Sequence, residues 1–151
     1  MIGIFDARYV LQEIRNMSYY QQKIADCLQA LHDLDELIAT ATDPASPQGG
    51  SDIHVGKQVV RIKVHGNGAT AEQRINAYIT AQKPLEAELQ EWKRKYAKAE
   101  RYRKDLQGSE DRDFVEAFAS GLSYKELSQS YYVTNPYDKA IRLIQRYVTK
   151  V

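Results

Sequence analysis

The chain has 151 residues and a single cysteine, Cys27, which excludes an intrachain disulfide and a cysteine-ligated zinc site and makes a reducing compartment the expected one. Histidines are also few: His32, His54 and His65 share no helical ligand spacing, so no metal site is expected. Apolar runs extend over only a few residues, which excludes a membrane-spanning helix, and MIGIFDARYV lacks the basic-then-apolar pattern of a secretory signal. No phosphate-binding loop or nucleophile elbow is present. His65-Gly66-Asn67-Gly68 is too short and wrongly flanked for a dinucleotide fingerprint. The chain therefore reads as a non-enzyme without a cofactor, and no catalytic residue is assigned.

An overall excess of one charge sign is missing too. The formal net charge is +1, so the composition as a whole carries no nucleic-acid signature. The charge is instead sorted along the chain. Lys93, Arg94, Lys95, Lys98, Arg101, Arg103 and Lys104 face only Glu100 within their stretch. An acidic patch follows, with Glu110, Asp111, Asp113 and Glu116 around Arg112. From Ser123 onward Lys125, Lys139, Arg142, Arg146 and Lys150 outnumber Glu126 and Asp138.

With 43% hydrophobic residues, the chain has enough apolar surface for a core. Val10, Met17, Ile24, Leu31 and Ile38 recur every seventh residue, and Tyr20, Cys27 and Leu34 widen the stripe beside them. This heptad seam predicts one long helix from about Asp6 to Thr40, packed lengthwise on another. Asp43-Pro44 and the segment to Ser51 predict an irregular connection. Over residues 55–64 two readings compete. Val60, Ile62 and Val64 alternate as in a strand, while Val55, Val59 and Ile62 would share a helix face. Thr70-Ala71-Glu72-Gln73 is a capping box opening a second long helix to about Leu106, with the seam Tyr78, Leu85, Trp92, Ala99 and Leu106; Pro84 is expected to kink or divide it. The expected architecture is mainly α, with a long antiparallel, coiled-coil-like helical hairpin over residues 1–107 whose flexible connection spans 42–69.

Residues 108–151 predict three short helices. Phe114, Val115, Ala117 and Phe118 form the apolar side of the first, and Gly121-Leu122 ends it. Ser123-Tyr124-Lys125-Glu126 is a capping box for the second. Asn135 as cap and Pro136 at the first helical position open the third. That last helix carries Ala140, Ile141, Ile144 and Val148 on one side and Asp138, Arg142, Gln145, Arg146 and Thr149 on the other. This is the layout of a helix-turn-helix, whose final helix enters the major groove of duplex DNA. Lys125, Thr134, Asn135, Tyr137, Lys139, Arg142 and Arg146 are the candidate DNA-contacting residues: cations for phosphates, and Asn135 or Arg142 for a purine edge. Three packed helices with a solvated charged face would produce the same pattern.

The segment Phe114-Val115-Glu116-Ala117-Phe118-Ala119-Ser120-Gly121-Leu122-Ser123-Tyr124-Lys125-Glu126-Leu127-Ser128 resembles the start of a sigma-factor region 4-type helix-turn-helix. The whole chain is similar to phage late-gene transcriptional regulators of the RinA/ArpU type. These also have an N-terminal heptad helix ending in Ala-Thr, here Ile38-Ala39-Thr40-Ala41-Thr42, then a Ser/Pro/Gly-rich loop, a second long helix and a C-terminal helix-turn-helix. Asn135-Pro136-Tyr137-Asp138 replaces the family's usual Ser-x-x-x-Val. The resemblance implies a cytoplasmic regulator in a bacterial host cell. Its partners would be duplex DNA and RNA polymerase or another protein, with a homodimer as one assembly. A different class fits the same pattern: a phage-encoded protein-interaction module, an inhibitor or packaging adaptor, that grips its partner through the hairpin.

Overall fold

A computed structural model describes residues 1–41, 52–55, 58–61, 70–108 and 111–151, the two short central segments by backbone alone. The chain is mainly helical. Its elements are α1 (Ile4–Arg15), α2 (Met17–Ala39), β1 (Asp52–Val55), β2 (Gln58–Arg61), α3 (Ala71–Leu106), α4 (Arg112–Ala119), α5 (Tyr124–Tyr131) and α6 (Pro136–Tyr147). The connection expected from Asp43 to Ser51 and the Gly66–Gly68 turn lie outside the described residues.

The first long helix is interrupted once, at Asn16. This residue closes α1, its N–H reaching Gln12 O at 3.0 Å and Glu13 O at 3.2 Å, while its carbonyl accepts from Tyr20 N–H at 2.9 Å. The bonds to Gln12 O and from Tyr20 N–H both keep the i→i−4 helical pattern through the break, and the Asn16 side chain is engaged by Gln12 Nε2 at 3.0 Å. Across the break, the Tyr20 hydroxyl donates to Glu13 at 2.8 Å. The break coincides with a shift of the buried stripe. Val10 and Ile14 are sealed in α1, but farther along Tyr20, Cys27, Leu34 and Ala41 are buried, while Ile24, Leu31 and Ile38 are half-buried. The residues expected to widen the seam are its centre.

The second long helix keeps the expected seam: Tyr78, Leu85, Ala99 and Leu106 are buried and Trp92 half-buried. Its capping box closes reciprocally, Thr70 N–H to Gln73 Oε1 at 3.1 Å and Gln73 N–H to Thr70 Oγ1 at 3.2 Å. Pro84 does not divide α3, which runs as one helix with the proline inside it and exposed. In the chain between the two long helices, β1 and β2 pair antiparallel with Asp52 opposite Arg61 and Val55 opposite Gln58, so the backbone is extended at 58–61.

The chain divides into two compact units, residues 22–93 and residues 1–21 with 94–151. In the first, Ala30, Leu34, Ala41, Tyr78 and Leu85 form the core. Its polar contacts join Asp35 to Gln82 Nε2 at 2.6 Å and the buried Arg74 guanidinium to the Ala41 carbonyl. In the second, α1 packs on α6 and α4, and α5 bridges α4 and α6. The boundary expected between 107 and 108 falls inside this unit.

An ion network ties α3 to α4 in the second unit. Arg103 holds Glu100 with two nitrogens and Glu116 Oε1 at 2.6 Å, and Gln107 Nε2 reaches the same Glu116 oxygen at 3.2 Å. Hydrogen bonding from Arg103 holds the Glu100 carboxyl below its ordinary value of 4.5 against the opposing effect of burial. A carboxylate with a depressed folded pKa contributes stability above its unfolded pKa and loses it as pH falls through the folded one. Thermal melts of wild type and Glu100→Gln should therefore differ most near neutral pH and converge in acid, below the ordinary carboxylate range. A gap independent of pH would contradict the assignment.

Candidate nucleic-acid interface

The three short helices are set by end chemistry at each boundary. α4 ends with Gly121 at φ +93°, where Leu122 N–H reaches back to Ala117 O at 3.4 Å. That return bond is a Schellman closure, which needs a left-handed residue and so favours glycine. Ser123 Oγ then accepts the Glu126 N–H at 3.2 Å and caps α5. α5 closes in the same way, with Val133 N–H to Ser128 O at 3.2 Å and Ser128 Oγ donating to Val133 O at 2.6 Å. Here the left-handed residue is Tyr132, at φ 54° and ψ 39°, and it is 95% exposed. A side chain in that region costs about 1–2 kcal/mol, and the Tyr132 ring recovers little of it by packing. Tyr132→Gly is expected to raise unfolding stability by about 1 kcal/mol, read from urea midpoints at constant slope. A loss of stability would show that the ring has a structural partner.

α6 begins at Asn135, whose Oδ1 accepts Asp138 N–H at 3.2 Å and whose Nδ2 donates to Asp138 Oδ2 at 2.9 Å. Pro136 occupies the first helical position and is buried. Asn135, a candidate base reader by sequence, has its amide spent on the cap, and Asp138 is held in the favourable first turn. Tyr137 is half-buried, its ring edge-on to Tyr124 at 5.9 Å. Lys139 also turns inward, Nζ lying 3.2 Å from Asp111 Oδ1 and 4.8 Å from the Phe114 ring centre.

The remaining candidates face solvent. Lys125, Thr134, Arg142 and Arg146 are exposed. Arg142 makes one described polar contact, from Nε to its own helix at Asp138 O, 3.4 Å. Arg142 and Arg146 stand one turn apart, about 6 Å along the axis. Neither has a carboxylate partner among the described residues. Buried Ala140, Ile141, Leu143 and Ile144 fix the opposite side of α6, so packing alone directs these two cations outward.

No family model, curated protein or solved structure matches this chain. Among the described residues no group of three or more His, Cys, Asp and Glu side chains is placed to hold a metal ion, and no helix is long and apolar enough to cross a membrane.

One structural residue carries no sequence signal. Arg15, in the last turn of α1, donates to Phe118 O at 3.3 Å and Leu122 O at 2.8 Å, and its guanidinium lies 4.7 Å from the Tyr124 ring centre. It thereby satisfies carbonyls at the end of α4 and, through Tyr124 and Tyr137, supports the first turn of α6. In the sequence it reads as an ordinary basic residue near a helix end, since both carbonyls lie more than a hundred residues away.

Proposed function

We propose that this chain is a sequence-specific DNA-binding transcriptional regulator of the phage late-gene type, using α5, the following turn and α6 as a sigma-like helix-turn-helix. The observation that carries the reading is the pair Arg142 and Arg146, exposed on the outer side of α6 with no carboxylate partner among the described residues. Capping at Ser123 and Asn135 and the tight closure at Tyr132 support the two-helix reading. The phage assignment rests on the resemblance of Phe114–Ser128 and of the loop-separated long helices. In this reading Arg142 reaches a base edge or phosphate, Arg146 and Lys125 neutralise phosphates, and Thr134 contacts the backbone at the turn. Asn135, Tyr137 and Lys139 hold the helix in place instead.

The long helices are read as an antiparallel hairpin that dimerises or docks on a protein such as RNA polymerase. Contacts within each unit support this pairing: Ala41 with Arg74 and Asp35 with Gln82 in one, Tyr9 with Lys98 and Gln21 with Tyr96 in the other. A second reading, a protein-interaction module acting through the hairpin, is favoured by exposed Leu28 and Ile79, at 49% and 43%. The experiment that tests the first reading is duplex binding by purified wild type at low salt, compared with Arg142→Glu.

A further inference from the structure

Resting on the DNA-binding reading, we propose that Arg101 on α3 and Lys150 in the C-terminal tail extend the cationic side of α6 into a flank that contacts the phosphate backbone of the same duplex. In the sequence, Arg101 belongs to the basic run Lys93–Lys104, for which a solvated helix face is sufficient explanation. The fold separates Arg101 from that explanation. One of its Nη atoms donates to the Lys150 carbonyl at 3.4 Å, bringing α3 against the segment that follows α6. Arg101 and Lys150 are both exposed. Lys150 lies four residues beyond Arg146, within about 15 Å of chain at roughly 3.8 Å per step. Along the duplex axis that upper limit corresponds to about four phosphates of one strand at roughly 3.4 Å each. The short chain from Arg146 to Lys150 and the Arg101 contact with the Lys150 carbonyl thus bring the three cationic residues into one neighbourhood.

Neither Arg101 nor Lys150 forms an ion pair with a carboxylate among the described residues. Glu100, the one acid within the basic run, has both carboxylate oxygens on Arg103, which also takes Glu116. Lys98, one turn before Arg101, donates to Tyr9 and lies 5.2 Å from its ring centre. Asp105, one turn after Arg101, bounds the patch. Arg101 has one described hydrogen bond and rests 5.2 Å from the Tyr102 ring centre, leaving guanidinium donors free for phosphate oxygens.

Backbone contacts add affinity without reading sequence, and each neutralised phosphate contributes about 0.9 to the slope of log K against log salt. The experiment is a salt titration of fluorescence anisotropy, between about 50 and 200 mM, on two labelled duplexes of unrelated sequence. Arg101→Gln combined with Lys150→Gln should make the slope shallower by about 1.8 and weaken binding to both duplexes by the same factor. Arg101→Lys with Lys150→Arg, which keeps both charges, should retain the wild-type slope, and circular dichroism should show equal helicity in all three proteins. Wild-type binding with an unchanged slope in the double glutamine variant would overturn the flank and leave the α6 reading standing. Absence of wild-type binding to any duplex would overturn both.

Discussion

Arg142→Glu is expected to lose at least about 100-fold in affinity for duplex DNA at low salt while keeping its helicity and its unfolding midpoint. A bidentate arginine contact to a base is worth about 1–3 kcal/mol, and a carboxylate facing phosphates adds repulsion to that loss. The side chain is exposed and its described hydrogen bond is to its own helix, so little native structure depends on it. The substitution puts a second carboxylate four residues after Asp138, a like-charge pair that costs about 0.2–0.5 kcal/mol, too small to unfold the unit. Arg142→Gln should bind more weakly than wild type and more tightly than the charge reversal. Electrophoretic shift or anisotropy provides the affinity and circular dichroism melts provide the fold. If the charge-reversed variant is folded and binds every duplex as wild type does, α6 is not the reading element. The protein-interaction reading then gains.

The charge sorting seen in the sequence has two different outcomes in the structure. Two acids of the patch after α3 are used internally, Asp111 pairing with Lys139 and Glu116 with Arg103. In the sequence those two cations look equivalent to Arg142 and Arg146. What separates them is which carboxylates the fold brings near, and pairings 13 and 28 residues apart leave no periodic trace. Local signals are legible by contrast. The caps at Thr70, Ser123 and Asn135 and the helix end at Gly121 follow from chemistry within five residues, and each is observed. The mainly helical class follows from two seven-residue periods. The phase error in α2 arises because periodicity reports a broad apolar stripe, and the centre of that stripe depends on the partner. Arg15 is illegible for the same reason as Lys139: its role is defined by groups distant in sequence.

Phe118→Ala is expected to destabilise the unit of residues 1–21 and 94–151 by about 3–5 kcal/mol. The side chain is fully buried, its ring edge-on to Phe114 at 5.5 Å. Phe114 in turn meets Tyr131 of α5 at 5.9 Å and lies beneath Lys139 of α6, so a cavity at 118 opens beside the ring that joins α4 to both following helices. The backbone at 118 is also engaged, its carbonyl accepting from Arg15, which resists the collapse that would refill the space. Phe118→Leu keeps most of the volume and should cost roughly 1–1.5 kcal/mol. Urea unfolding distinguishes these cases, and a loss below about 1 kcal/mol for alanine would mean that the ring is not the packed element described. Substitutions at 142 and 118 also separate recognition from support. The Arg142 variant should lose binding while fully folded, whereas the Phe118 variant should lose it only in proportion to the fraction unfolded. A Phe118→Ala protein that remains folded but cannot bind would mean that the orientation of α6, and not only its exposed arginines, is set through the Phe114–Phe118 pair.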